Sequence, residues 1–93
     1  MAVSICNINL LPKASGIYKV RDPLGEVVYV GQSINIYQRW KNGHEKFAII
    51  VERYGMESTI EWTLIPRWLL NRAENAAVAF HEPELNARTP SVV

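Results

Sequence analysis

The sequence predicts an α+β fold: a small three-stranded antiparallel sheet flanked by helices, in the order β-β-α-α-β-α. Three observations point there. The runs Ser-Gly-Ile-Tyr-Lys-Val (15–20) and Glu-Val-Val-Tyr-Val-Gly (26–31) are rich in β-branched and aromatic residues. They flank Arg-Asp-Pro-Leu-Gly, whose Asp, Pro and Gly favour a turn, so together they form a hairpin. The stretch from Ser58 to Ile65 alternates, with Ile60, Trp62 and Leu64 on one face and Glu61 and Thr63 on the other, which gives a third strand. The remaining apolar residues recur at helical spacing, and helices set apart from a hairpin-based sheet define the class.

Taken in order, residues 1–14 form an irregular, partly apolar arm ahead of the hairpin. Asn35, with Gln38 three residues later, resembles a capping box, and Gly43 is a stop; a short helix is expected over 36–42. Phe47, Ile50, Val51 and Tyr54 mark a second helix that Gly55 ends. Pro66 opens a last helix that runs to Glu82, before Pro83. Its expected apolar stripe is Leu69, Ala73, Ala76 and Phe80, with alanines small enough to lie close to a sheet. The tail, 83–93, reads as loop.

The 93 residues make one domain, 1–93, able to bury roughly 60–65% of its unfolded surface. A 48% hydrophobic and 20% charged composition is globular, not disordered. Cys6 is the sole cysteine, which excludes an internal disulfide, fits a reducing, cytoplasmic setting, and reads as a packed thiol. No apolar run approaches the ~18 residues of a membrane span, and the N-terminus lacks the basic region of a signal peptide. A net charge of +1 confines any nucleic-acid contact to a local patch. Trp40, Trp62 and Trp68 read as core residues.

The hairpin poses a question. It carries Gly16-Ile17-Tyr18 at one end and Tyr29-Val30-Gly31 at the other, with ten residues between the tyrosines. A two- or four-residue loop sets Tyr18 opposite Tyr29 and Gly16 opposite Gly31, on a shared face. A three-residue loop with Gly25 in a bulge sets Tyr18 opposite Val30 and sends the two rings to opposite faces. Asp-Pro-Leu-Gly fits either, so turn chemistry leaves both open. Glycine inside a strand often marks close approach by another chain segment or a ligand.

The triplets, ten residues apart, resemble the signature of the GIY-YIG nuclease superfamily. The similarity continues through Tyr-Val-Gly-Gln-Ser-Ile-Asn-Ile-Tyr-Gln-Arg-Trp (29–40), matching the family's Gly-x-Ser-x-Asn run and the arginine of the next helix. It resumes in Ala-Glu-Asn-Ala-Ala-Val-Ala-Phe-His-Glu-Pro-Glu-Leu-Asn (73–86), a helix with a glutamate followed by Pro-x-x-Asn. It covers residues 15–87. Val30 replaces isoleucine, and His44 lies five residues beyond Arg39, past Gly43, where the family often has its histidine closer.

The resemblance implies an endonuclease that hydrolyses DNA phosphodiester bonds with one divalent ion, Mg²⁺ or Mn²⁺, held by Glu74. It implies catalytic roles for Tyr18, Tyr29, Arg39, His44 and Glu74, and supporting roles for Gly16, Gly31, Ser33, Asn35 and Asn86. It further implies one sheet face on which both tyrosines meet the arginine and the glutamate, which favours the register with Tyr18 opposite Tyr29. In these roles Arg39 contacts the phosphate, Tyr18 is the base toward water, Tyr29 orients water or phosphate, and His44 relays a proton or contacts phosphate. Glu74 flanks the stripe at Ala73 and Ala77, and its neighbours four residues away, Leu70 and Val78, offer no ion pair. Glu74 with His81 is a poorer metal pair, because two turns separate them by about 10 Å. The expected partners are DNA and a separate targeting protein or domain, with no membrane. Two other classes remain: a non-cleaving nucleic-acid-binding module of this fold, and a structural or protein-interaction domain.

Overall fold

A computed structural model describes residues 1–86 of the chain. Its elements are β1 (Ala2–Ser4), β2 (Gly16–Arg21), β3 (Val27–Ser33), α1 (Ile36–Lys41), α2 (Phe47–Tyr54), β4 (Thr59–Leu64) and α3 (Leu70–His81). The α+β class stands, with an antiparallel sheet flanked by helices. The strand count does not: the sheet has four strands, in the order β1-β4-β2-β3, and the element order becomes β-β-β-α-α-β-α. The added strand comes from the arm read as irregular. It pairs antiparallel with β4, setting Val3 opposite Ile60, and covers an edge of β4 that would otherwise be open. Three residues are too few for alternation to show in the sequence. Of the tail expected to be loop, residues 87–93 lie outside the described residues.

The hairpin adopts neither expected register. Its tip is a three-residue loop: the Gly25 N–H donates to the Asp22 carbonyl and the Asp22 N–H to the Glu26 carbonyl, each at 2.9 Å. Gly25 sits at φ 92°, in the left-handed region that favours glycine. Such a loop alone would send the tyrosines to opposite faces. However, Arg21 pairs with Val27 while Val20 pairs with Tyr29, so Val28 is an extra residue in a bulge. The bulge restores parity. Tyr18 lies opposite Gly31, not Tyr29, and Gly16 lies opposite Ser33, not Gly31. Residues two apart on a strand share a face, so the rings of Tyr18 and Tyr29 are diagonal neighbours with centroids 6.3 Å apart.

Both signature glycines answer to close approach. A Cβ on Gly31 would fall 2.6 Å from Cζ and Oη of Tyr18, so the Tyr18 ring lies across the space a side chain would fill. A Cβ on Gly16 would fall 2.3 Å from the Thr63 carbonyl oxygen on β4.

One sheet face carries the main core, where Tyr18, Val20, Val28 and Ile60 pack with Ile36 and Trp40 of α1 and Ile50 of α2. The other face is covered by α3, with Val30 and Leu70 buried there. β3 is the edge strand on that side of the sheet. Its outer edge is closed by the chain after α3: the Leu85 N–H donates to the Val28 carbonyl at 2.9 Å. The Asn86 side chain accepts from the Val30 N–H and donates to the Val30 carbonyl, both at 2.8 Å. Asn86 thus takes the place of one residue of a neighbouring strand. Of the capping box expected at α1 one half forms, Asn35 Oδ1 accepting from the Gln38 N–H at 3.0 Å. Ser33 Oγ accepts in turn from the Asn35 N–H at 2.9 Å.

Three apolar expectations are corrected. Residues 67–69 form a 3₁₀ turn before α3 begins at Leu70. Three residues per turn change the phase, so Leu70, Ala73, Glu74, Ala77 and Val78 face inward while Ala76 is exposed and Phe80 is 82% exposed. Trp68, in that 3₁₀ turn, is 80% exposed; Trp40 is buried and Trp62 packs half-buried against the core. Cys6 is exposed rather than packed, because the turn after β1 carries it outward.

The contact between Gly31 and the Tyr18 ring predicts that Gly31→Ala overpacks a buried site and costs about 1–3 kcal/mol. Urea unfolding checks this; a stability equal to that of the unaltered chain would contradict it.

Candidate active site

Residues from β2, β3, α1 and the α1–α2 loop converge on one sheet face. Tyr18 projects from β2 and is 1% exposed. Tyr29 projects from β3 beside it and stays half-buried. Helix α1 contributes Trp40, whose ring meets the Tyr18 ring edge-on at 5.4 Å. Gly43, at φ 92°, ends the α1 region and turns the chain back, so His44 reaches the cluster from outside Arg39's helix. His44 is 4% exposed. Its ring stacks on Trp40 at 4.1 Å and meets the Tyr18 and Tyr29 rings edge-on at 5.6 and 5.4 Å.

The hydrogen bonds of His44 set its tautomer. Nδ1 accepts from the Lys46 backbone N–H at 3.0 Å, so it carries no proton. In the neutral ring the proton is therefore on Nε2, which lies 2.8 Å from the Tyr18 hydroxyl oxygen. His44 donates and Tyr18 accepts, which leaves the Tyr18 hydroxyl proton for another acceptor. Burial, followed by the Arg39 charge, pulls the His44 pKa down to about 4. Burial pushes the Tyr18 hydroxyl well above the ordinary phenol value, with Tyr29 adding to the shift and Arg39 opposing it. Tyr29 is also raised, by burial and then by Glu45. The resting cluster is a neutral imidazole and two neutral phenols.

Arg39 supplies the positive charge. Its Nη2 pairs with Glu45 Oε1 at 3.0 Å, and the bond to Arg39 lowers the Glu45 pKa. A groove of about 290 Å³, lined by Ser33, Ile34, Asn35, Gln38, Arg39 and Asn42, opens beside the guanidinium.

Glu74 stands apart from the arrangement implied by the resemblance. It projects from α3, which packs on the sheet face opposite the tyrosines. It is half-buried, and its Oε1 accepts from Gln32 Nε2 at 2.6 Å. Gln32 lies next to Gly31 on β3 and so points to the α3 face. Arginine and tyrosines share one face, and the glutamate reaches them from the other; its charge still raises both tyrosine pKa values. The reason is the α3 phase, which turns Glu74 inward against β3. Among the described residues no three His, Cys, Asp or Glu side chains cluster as a metal site. A cation at Glu74 would have one carboxylate and a shell of water, a donor set that suits Mg²⁺.

The predicted residues thus separate into groups. Tyr18, Tyr29, Arg39 and His44 are brought together. Gly16 and Gly31 make room, Ser33 and Asn35 fold the entry to α1, and Asn86 closes the β3 edge. Sequence reasoning missed Gln32, Asn71 and Glu45, and it treated Trp40 only as core. Nothing in the spacing of the first three signals their contacts: Gln32 meets Asn71 and Glu74 across elements distant in the chain, and Glu45 meets Arg39 only because the chain turns back after α1.

Comparison with known proteins fits this geometry. The model of the GIY-YIG catalytic domain family matches residues 14–67, more than half of the chain. The chain belongs to the GIY-YIG catalytic domain family. The match contains both tyrosines, Arg39 and His44, and ends before Glu74 and Asn86. Among curated relatives, UvrABC system protein C of Corynebacterium diphtheriae is 36% identical over 59 residues, 59% of this chain and 9% of that protein. The protein of the same name from Beutenbergia cavernae is 32% identical over 59 residues, 59% of this chain and 8% of that protein. The chain therefore matches only about a tenth of the length of these relatives. Among solved structures, a point mutant of the GIY-YIG N-terminal endonuclease domain of UvrC from Thermotoga maritima, bound to its catalytic divalent cation, superposes with a TM-score of 0.73. It is 20% identical and the alignment covers 89% of this chain and 93% of that one. The same domain bound to magnesium gives a TM-score of 0.69 at 20% identity, covering 88% and 93%. At this identity the likeness is one of fold.

The depressed His44 pKa has a sign that can be measured. The unfolded chain takes up a proton near pH 6.5 that the folded chain resists until about pH 4. The contribution of His44 to stability is therefore present above pH 6.5 and lost as pH falls toward 4. Between pH 7 and 5 this loss is about 2 kcal/mol. Urea unfolding of the wild-type chain and His44→Gln at both pH values checks this. The variant should lose that much less; equal losses would contradict a neutral buried His44.

Proposed function

We propose that this chain is a metal-dependent endonuclease domain that hydrolyses DNA phosphodiester bonds, with Tyr18, Tyr29, Arg39, His44 and Glu74 as its working residues. The observation that carries the reading is the convergence of two tyrosine hydroxyls, a neutral histidine and an arginine on one sheet face, with a half-buried carboxylate at the neighbouring strand. The description of the Thermotoga maritima neighbour as an endonuclease domain with a magnesium ion supports it. The chain's small share of the UvrABC system protein C relatives supports a separate protein or domain for targeting.

Hydrolysis adds a water oxygen to phosphorus and breaks one P–O ester bond; the attacking water gives up its proton to bulk solvent and the departing sugar oxygen takes one from it. Arg39 binds the phosphate and offsets the charge that grows on its oxygens, exchanging Glu45 for the phosphate as it does so. Tyr29, half-buried and next to Arg39's field, faces the water. The buried Tyr18, already engaged by His44, suits a supporting place better than the base role that the resemblance implied. His44, with its proton on Nε2, donates to the Tyr18 oxygen and leaves the Tyr18 proton free to bond outward, so the pair orients the hydroxyls without carrying charge. Glu74 would hold one Mg²⁺ or Mn²⁺, which when bound supplies charge neutralisation at the phosphate and the leaving oxygen.

Plasmid nicking in Mg²⁺ is the direct test. Cleavage should vanish with EDTA and fall at least about 100-fold in Glu74→Ala and Arg39→Ala. Cutting by Glu74→Ala at the wild-type rate would end the assignment. A second prediction concerns the pair that masks Arg39: Glu45→Gln frees the guanidinium and removes a negative charge. DNA binding measured by fluorescence anisotropy at low salt should tighten by up to about fivefold. Weaker binding would show that Glu45 orients Arg39 rather than competing with phosphate.

A further inference from the structure

Gln32 is the contact through which the sheet holds Glu74. Its side chain leaves β3 on the face away from the tyrosines and meets α3. Nε2 donates to Glu74 Oε1 at 2.6 Å and to Asn71 Oδ1 at 2.7 Å. An amide nitrogen carries two hydrogens, so both bonds form at once and its donors are fully used. The two acceptors also fix which end of the amide faces the helix. Asn71 and Glu74 are three residues apart on α3 and so lie on the same side of it.

This arrangement bears on cation binding in two ways. A glutamate side chain free in solution loses rotamer freedom when it is fixed, and the Gln32 bond has already taken up part of that loss. The donor is also uncharged. A lysine or arginine in its place would hold the carboxylate equally well but would neutralise it and repel a cation. A neutral amide fixes one oxygen and leaves the full negative charge and the second oxygen available.

We propose that Gln32, locked by Asn71, is a positioning residue that holds Glu74 Oε1 and presents Oε2 to a divalent cation. This rests on Glu74 as the metal carboxylate, and the test separates the two statements. Partners that orient a metal ligand typically account for 10–100-fold in metal affinity.

The measurement is Mn²⁺ binding to the whole chain, followed by the electron paramagnetic resonance signal of free Mn²⁺, with thermal unfolding recorded without metal. Gln32→Met keeps length and volume but has no donor. It should bind Mn²⁺ about 10-fold or more weakly with an unchanged unfolding midpoint. Glu74→Ala should lose the site. If Glu74→Ala loses Mn²⁺ while Gln32→Met binds it as wild type does, the metal reading stands and the role of Gln32 falls. If Glu74→Ala binds as wild type does, both fall. Should Gln32→Met not fold, Asn71→Ala reads the same lock at an exposed position. A several-fold weakening supports the proposal, and unchanged binding overturns it.

Discussion

The bond between the Tyr18 hydroxyl and the His44 ring is the interaction on which the site depends, and several separate constraints converge to allow it. Tyr18 reaches His44 only if its ring crosses the space above Gly31, which any side chain there would fill. The ring lies on the same face as Tyr29 only because the bulge at Val28 reverses the parity set by the hairpin tip. His44 can donate only because the Lys46 backbone N–H occupies its other nitrogen. Trp40 then forms the surface against which the imidazole stacks. Strand register, glycine placement, tautomer and aromatic packing are therefore parts of one requirement: two phenols held neutral, side by side, next to an arginine.

The same requirement explains where the protein places its charges. A buried histidine with a positive charge would lose that charge by desolvation, and here the Arg39 charge adds to the shift. Two cations border the tyrosine face: the Arg39 guanidinium, held by the exposed Glu45, and the Lys46 ammonium, which lies over the Tyr29 ring at 6.0 Å. The carboxylate that suits a metal lies across the β3 strand, on the α3 side. Placing Glu74 and Arg39 on opposite sides of β3 keeps the two charges from pairing with each other; Glu74 bonds Gln32 and Arg39 bonds Glu45. The edge strand β3 carries Tyr29 toward one side and Gln32, bonded to Glu74, toward the other, which gives it a central place despite its position at the border of the sheet. Its outer edge is correspondingly well secured by Leu85 and Asn86.

Much of this was legible in the sequence. The hairpin, the capping of α1 by Asn35, the glycine stops at Gly43 and Gly55, and the alternation of β4 all follow from local chemistry, and local chemistry does not depend on distant partners. The shared face of Tyr18 and Tyr29 was expected, but for a register that does not occur. The turn residues are compatible with the three-residue loop but do not select it, and Val28 gives no local sign of being a bulge, because a valine is equally at home in a regular strand. The phase of α3 is not legible because a proline opens a 3₁₀ turn and an α-helix alike, and the 3₁₀ turn over 67–69 moves the inward face away from Phe80 and toward Glu74. Strand β1 was too short to show a period. Gln32, Asn71 and Glu45 act through contacts that only the folded chain creates.

The state of the His44 ring decides whether the two phenols are held as described. A long-range ¹H–¹⁵N correlation spectrum of the folded chain near neutral pH distinguishes the two neutral tautomers and the imidazolium. The ring should be neutral and protonated on Nε2, unchanged on lowering the pH to 6, and in Tyr18→Phe the proton should stay on Nε2 but lose its hydrogen bond. A ring protonated on Nδ1, or an imidazolium at pH 6, would contradict this arrangement.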